Sequence, residues 1–99
     1  MAQVTRDDVS QALRAWEIAR EKALLENQRN AVFLKNQQTL IQSLVDGGAT
    51  AFAAKRDVEQ ASAAQLAALH VAWQEMDDRN REYSELIEAF RQQQAQSAP

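Results

Sequence analysis

The chain has few of the residues that carry out chemistry or interrupt helices. Its 99 residues include no cysteine, one histidine, two glycines and one proline. The missing cysteine excludes disulfides, thiolate chemistry and cysteine-based zinc sites. No apolar run approaches the ~20 residues of a membrane span, and the first residues, MAQVTRDD, turn acidic early. We therefore expect a soluble, cytoplasmic protein without a targeting segment.

The lone histidine, His70, lacks the neighbours that catalysis needs. The helical positions three and four residues away carry neither a carboxylate nor a hydroxyl; they hold Leu66, Ala67, Trp73 and Gln74. The Glu-x-x-His spacing of bundle metal sites is absent, as are a glycine-rich phosphate loop and an activated serine. The sequence predicts a non-enzymatic protein with no cofactor or metal, and it places His70 on the surface.

The charge balance argues against nucleic acid as a partner. Lys and Arg number 11 against 14 Asp and Glu, and the basic residues are scattered without interleaved aromatics. The small basic cluster at Lys55 and Arg56 supports only weak contact. The expected partner is a protein.

Helix-forming residues are abundant, and the helix breakers lie together. Gly47 and Gly48 are adjacent and the proline is the last residue, while Ala, Leu, Gln, Glu and Arg dominate the rest. The sequence predicts an all-α fold, a long antiparallel two-helix hairpin resembling a coiled coil, in a single domain over residues 1–99. Its predicted parts are a helix at 5–45, a turn at 46–49, a helix at 50–92 and a frayed tail at 93–99.

The start of the first helix has a capping signature. Thr5 can cap the helix, Asp8 occupies the third helical position, and Val4 and Val9 have the spacing of a hydrophobic staple. An alternative interpretation interrupts this helix in the polar stretch 26–30 and gives three helices.

Apolar spacing predicts an interhelical seam, in which residues whose numbers sum to about 96 face each other. The second helix alternates steps of three and four: Leu66, Leu69, Trp73, Met76, Asn80, Tyr83, Ile87 and Phe90. The first helix has a looser stripe: Val9, Leu13, Trp16, Arg20, Ala23, Asn27, Leu34, Ile41 and Val45. One helix pair buries little surface, so a four-helix bundle dimer is expected.

A second apolar stripe remains on each helix once the seam is subtracted, and the two stripes fall on the same side of the hairpin. Together they predict an interface for a homodimer or for a helix of a partner protein. The residues are Phe33, Leu40, Leu44, Ala61, Ala64, Ala68 and Val71. The function predicted from this patch is that of a small adaptor or chaperone-like subunit. Alternatively, the patch is the core of the three-helix fold.

The acidic segment 75–88 carries six carboxylates against Arg79 and Arg81; they are Glu75, Asp77, Asp78, Glu82, Glu85 and Glu88. The ordinary explanation is a solvated helix face with salt bridges such as Asp77–Arg81. The alternative is electrostatic docking by an inhibitor that occludes a partner's functional surface, such as a nucleic-acid-binding one. The turn 46–49 lacks the Trp-x-Gly motif of the hundred-residue secreted hairpins, so no family is assigned.

Overall fold

The structure is a computed structural model that describes residues 3–97. Three helices account for nearly all of these residues: α1 at Arg6–Lys35, α2 at Gln37–Asp46 and α3 at Ala51–Ser97. No strand occurs between residues 3 and 97, which confirms the all-α prediction. The prediction of two helices is wrong, because the first one is divided at Asn36.

Thr5 and Asp8 cap the start of α1 reciprocally, as the sequence predicts. The backbone N–H of Asp8 donates to Thr5 Oγ1 at 3.1 Å, and the backbone N–H of Thr5 donates to Asp8 Oδ2 at 2.9 Å. Two backbone donors that the helix leaves unpaired are thereby satisfied.

Asn36 separates α1 from α2 without breaking the chain of hydrogen bonds. Its φ is −101° and ψ is 5°, and its N–H is shared between the carbonyls of Val32 and Phe33, both at 3.1 Å. The N–H of Leu40 then donates to the Asn36 carbonyl at 3.0 Å. Asparagine has low helix propensity, which accounts for a local distortion that no glycine or proline marks. The alternative break at 26–30 is wrong, because α1 is continuous there.

The glycine pair ends α2 in a Schellman motif, at the predicted turn. Gly48 has φ +107°, a conformation that side-chain-bearing residues rarely adopt. Its N–H donates to the Val45 carbonyl, and the N–H of Ala49 donates to the Leu44 carbonyl, both at 3.0 Å. Thr50 then caps α3 by accepting the N–H of Ala53 on Oγ1 at 3.1 Å.

The C-terminal part of α3 is more regular than the sequence suggests. The tail predicted to fray from residue 93 is helical through Ser97, and residues 98 and 99 lie outside the described part. The Gln93 side chain accepts the Val4 N–H and donates to the Val4 carbonyl, both at 2.8 Å. This anchor, with the good helix propensity of Gln and Ala, accounts for the longer helix.

The chain divides into two compact units, and α1 and α3 contribute to both. Unit 1 combines the described residues up to Ala23 with those from Ala72 onward, and unit 2 is Leu24–Val71. The single domain over 1–99 stays a prediction.

Unit 1 is held by contacts between side chains of α1 and α3. The rings of Trp16 and Tyr83 stack with centroids 6.3 Å apart, and the Arg20 guanidinium lies 5.7 Å from the Trp16 centroid. Lys22 pairs with Glu75 at 3.8 Å. As the numbers rise in α1 they fall in α3, so the two segments of this unit run antiparallel. Tyr83 stacks on Trp16, one turn from its predicted neighbourhood near Leu13. Three alanines are buried in this unit: Ala19, Ala23 and Ala72.

Unit 2 has a small core and polar contacts across its helices. Its buried side chains are Ala54, Val58 and Leu69. Gln65 donates to Glu26 at 3.0 Å, and Gln37 donates to Ser62 at 3.3 Å.

The predicted seam is correct at five of its eight positions in α3, including the half-buried Ile87, and is displaced by one residue at the other three. Leu69 is buried, and the three seam residues that follow it at seven-residue steps, through Phe90, are half-buried. Leu66, Trp73 and Asn80 are exposed, however. The residues just before them lie on the inner face instead: Gln65, Ala72 and Arg79.

The stripe predicted on the first helix is displaced in the same direction at three of its nine positions, and its other six residues are buried or half-buried. Arg20, Asn27 and Leu34 are exposed, whereas the residue before each is buried or half-buried: Ala19, Glu26 and Phe33. Small residues at an interface let two helix backbones approach closely, and close approach gains more atom contacts than a wider interface of large side chains. The predicted seam is wrong at the displaced positions, and at two of them a buried alanine, Ala19 or Ala72, takes the place of the larger Arg20 or Trp73.

Candidate functional site

Unit 2 exposes many large hydrophobic side chains. Nine of its residues of this kind are exposed, whereas only Ile18 and Trp73 are exposed in the described part of unit 1. The nine are Leu24, Leu25, Val32, Leu34, Leu40, Leu44, Phe52, Leu66 and Val71. Single exposed leucines are ordinary, but a contiguous group marks an interaction surface.

Part of this surface forms a groove of two joined depressions, which we call the unit 2 groove. Phe33 and Leu40 line both depressions and therefore mark its middle. The first depression has a volume of about 520 Å³ and is lined also by Leu25, Gln28, Arg29, Val32, Asn36 and Gln65. The second has a volume of about 280 Å³ and is lined also by Ser43, Leu44, Asp57, Val58 and Ala61.

The groove brings together four of the seven residues predicted as an interface: Phe33, Leu40, Leu44 and Ala61. Ala64, Ala68 and Val71 are exposed on α3 but do not line it. At about 100° per residue, Ala68 shares the face of Ala61, while Ala64 and Val71 lie roughly 60–80° further round. That these residues bind a partner stays a prediction.

Sequence reasoning missed the half of the groove that precedes Phe33. Leu25 and Val32 line it and are exposed, at 46% and 59%. Their separation of seven residues is the signal that would have revealed them, since it is a heptad repeat. The predicted seam included Leu34 instead, and Leu25 and Val32 belonged to neither of the two predicted stripes.

The two charged residues in the lining are each paired within unit 2. Arg29 pairs with Glu26 at 2.9 Å, and Asp57 lies 3.7 Å from Arg56. Glu26 also accepts the hydrogen bond from Gln65. The lining contains no histidine, and within residues 3–97 no three potential ligands converge on a metal position. An apolar trough with paired charges can bind apolar side chains, and it offers no acid–base pair for catalysis.

The acidic segment is engaged with cations of its own unit. Arg79 pairs with Glu82 at 2.6 Å, Arg81 with Asp78 at 3.3 Å, and Lys22 with Glu75. Arg81 therefore bonds Asp78 and not the predicted Asp77. The hydrogen bond from Arg79 to Glu82, with the carboxylate charge, raises the pKa of Arg79 above its ordinary value. Asp77, Glu85 and Glu88 are exposed on the same helix.

His70 is exposed, as predicted. None of the helices in the described part of the chain combines the length and apolar character that crossing a bilayer requires. Comparison of the chain with protein-family models, with curated proteins and with solved structures gives no match.

Proposed function

We propose that this chain is a non-enzymatic protein-interaction module, a small adaptor or chaperone-like subunit, that binds through the unit 2 groove. The observation that carries the proposal is the excess of exposed apolar side chains in unit 2, where nine large ones are exposed and only Ala54, Val58 and Leu69 are buried. Full burial of a leucine or valine side chain stabilises by about 1.5–3 kcal/mol. A surface that leaves so many unburied gains its stabilisation from a partner.

The length of the groove favours a helix as the ligand. Its lining on the first two helices extends from Leu25 to Leu44, and Leu25 to Leu40 alone corresponds to about 22 Å of helix. A helix lays anchors three, four and seven residues apart into such a trough, whereas a small molecule is enclosed by a compact cavity.

In this proposal α1 and α2 run antiparallel to α3 as a hairpin, and the groove lies along one side of it. A partner that is itself a hairpin would complete a four-helix bundle, the usual packing of antiparallel helix pairs. The bundle would bury the exposed leucines that the hairpin alone cannot cover.

The alternative is an inhibitor that occludes a partner surface with the acidic segment. Three of the six carboxylates there already pair with Lys22, Arg79 and Arg81, which favours an ordinary solvated helix face. Salt distinguishes the two functions. Binding through the apolar groove should persist at high ionic strength, whereas docking through carboxylates should weaken as their charges are screened.

The test is the double substitution Leu40→Glu and Leu44→Glu. Both residues line the groove, and a bound helix would force two carboxylates out of water, so partner capture from the native host should be lost. Circular dichroism should remain helical, since both side chains are exposed.

The matched control is Gln38→Glu with Thr39→Glu, which adds the same charge to the same helix at exposed positions outside the lining. Proteins captured by the wild type should be retained by this control. Equal capture by the groove variant and the control would contradict the proposal. Leu69→Glu, which places a charge in the buried core, should instead unfold the chain.

A further inference from the structure

We infer that the unit 2 groove is occupied by a second copy of this chain, related by a two-fold axis through the middle of the groove. This inference rests on the proposed function and names its partner. Under that symmetry Arg29 of each copy faces Asp57 of the other.

The two charged lining residues lie in different halves of the groove. Arg29 lines only the first depression and Asp57 only the second, while Phe33 and Leu40 line both. A two-fold axis between the halves places the first end of one copy opposite the second end of the other copy. Each pair of facing residues therefore occurs twice in the dimer. A groove with a basic residue at one end and an acidic residue at the other is therefore complementary in charge to the groove of a second, antiparallel copy.

Neutral residues fill the rest of the lining, so no like charges meet when the groove is apposed to itself. In a parallel arrangement without the exchange of ends, Arg29 would meet Arg29 and Asp57 would meet Asp57. The antiparallel two-fold pairing is the one that the charges favour.

Both charged groups can accept a further partner without losing the present one. The Arg29 guanidinium has five N–H donors and uses one nitrogen on Glu26, so other donors can reach a second carboxylate. Asp57 lies 3.7 Å from the adjacent Arg56, which is longer than a hydrogen bond, and both side chains are more than half exposed.

The chain exposes more surface than a folded monomer of its mass usually does. The chain of 11.1 kDa exposes 7540 Å². A folded monomeric protein of that mass exposes about 5,700 Å², so the surplus is about 1,900 Å². A standard specific interface takes about 800 Å² from each partner, and permanent homodimers take more.

The test compares Arg29→Asp, Asp57→Arg and an equal mixture of the two variants by sedimentation over a wide concentration range. The wild type should be a dimer that dissociates on dilution. Each variant alone places like charges opposite each other twice and should dimerise at least about tenfold more weakly. In the mixture each copy supplies the charge that the other lacks, so a heterodimer should form at least about tenfold more tightly than either homodimer.

The mixture is the decisive sample, because it contains the same substitutions, with the same local effects on each chain, as the separate variants. A mixture that associates no more tightly than either variant overturns the two-fold pairing. The neutral variants Arg29→Gln and Asp57→Asn provide a second series. They should weaken the dimer less than the reversed charges, and equal affinity to the wild type would count against the inference.

The failure of this inference can be told apart from the failure of the proposed function. A wild-type chain that is monomeric throughout overturns the second copy as occupant. If the Leu40→Glu, Leu44→Glu variant then still loses partner capture that the control retains, a helix of another protein occupies the groove. If capture is unchanged as well, both the inference and the proposed function fail.

Discussion

In unit 1 two large aromatic side chains stack between the helices, whereas unit 2 has amide contacts between its helices and leaves nine large apolar side chains exposed. Trp16 and Tyr83 stack across unit 1, and the Gln93 amide is bonded to both backbone groups of Val4. In unit 2, Gln65 and Gln37 donate hydrogen bonds to residues on another helix, and three side chains form the core. The two units differ in how much of their own apolar surface they cover.

This difference indicates that the two units have different roles. Unit 1 stacks Trp16 on Tyr83 internally and, in its described part, leaves only Ile18 and Trp73 exposed among its large apolar side chains. Unit 2 keeps its apolar residues available, at a cost in stability as a free monomer. In the proposed function, unit 2 is the part that binds the partner.

The largest expected effect is that of Trp16→Ala, which removes the internal contact of unit 1. It deletes the stack on Tyr83 and the Arg20 contact and should lower the free energy of unfolding by about 2–3 kcal/mol, since Trp16 is half-buried. Trp73→Ala is the matched control, because that indole is exposed and should cost under about 1 kcal/mol. Urea unfolding at one protein concentration measures both. Equal losses of unfolding free energy in the two variants would contradict the prediction that Trp16 is an internal and Trp73 an exposed tryptophan.

A smaller effect is expected from Ala54→Leu in unit 2. Ala54 is 0% exposed, so three added carbons have no space and should destabilise the chain by about 2 kcal/mol. Ala67→Leu adds the same atoms to the same helix at an exposed position and should stay within about 0.5 kcal/mol. If thermal unfolding shows Ala54→Leu to be tolerated, the interior of unit 2 accepts large side chains and the contrast between the units is wrong.

The smallest effect is expected from Asn80→Leu in unit 1. Asn80 is exposed, and its backbone carbonyl, which accepts the Ser84 hydroxyl, is retained in the variant. We expect a change in unfolding free energy within about 0.5 kcal/mol and an unchanged sedimentation coefficient. A gain above about 1 kcal/mol would return Asn80 to the interhelical seam that its spacing predicts.

Local sequence was enough to predict the start of the first helix and the turn before the last one. The Thr5–Asp8 cap and the glycine turn are decided by neighbouring residues, and both occur as predicted. The interruption at Asn36 has no comparable signal, because asparagine inside a helix is common and its backbone hydrogen bonds continue.

The choice of interhelical face could not be made from one helix at a time. Two stripes of α3 share Leu69 and Tyr83, and they differ in whether Trp73 or Ala72 lies inside. Burial of apolar area favours the tryptophan, whereas close approach of two backbones favours the alanine. Only the partner helix decides between them.

The turn at Gly48 also sets the order in which contacts can form as the chain folds. The Gln37–Ser62 contact of unit 2 joins residues 25 apart, whereas the Val4–Gln93 contact of unit 1 joins residues 89 apart. Closing the shorter loop costs less chain entropy and takes less time. Unit 2 is therefore expected to assemble first, so that its apolar surface is presented while the two ends of the chain are still unjoined.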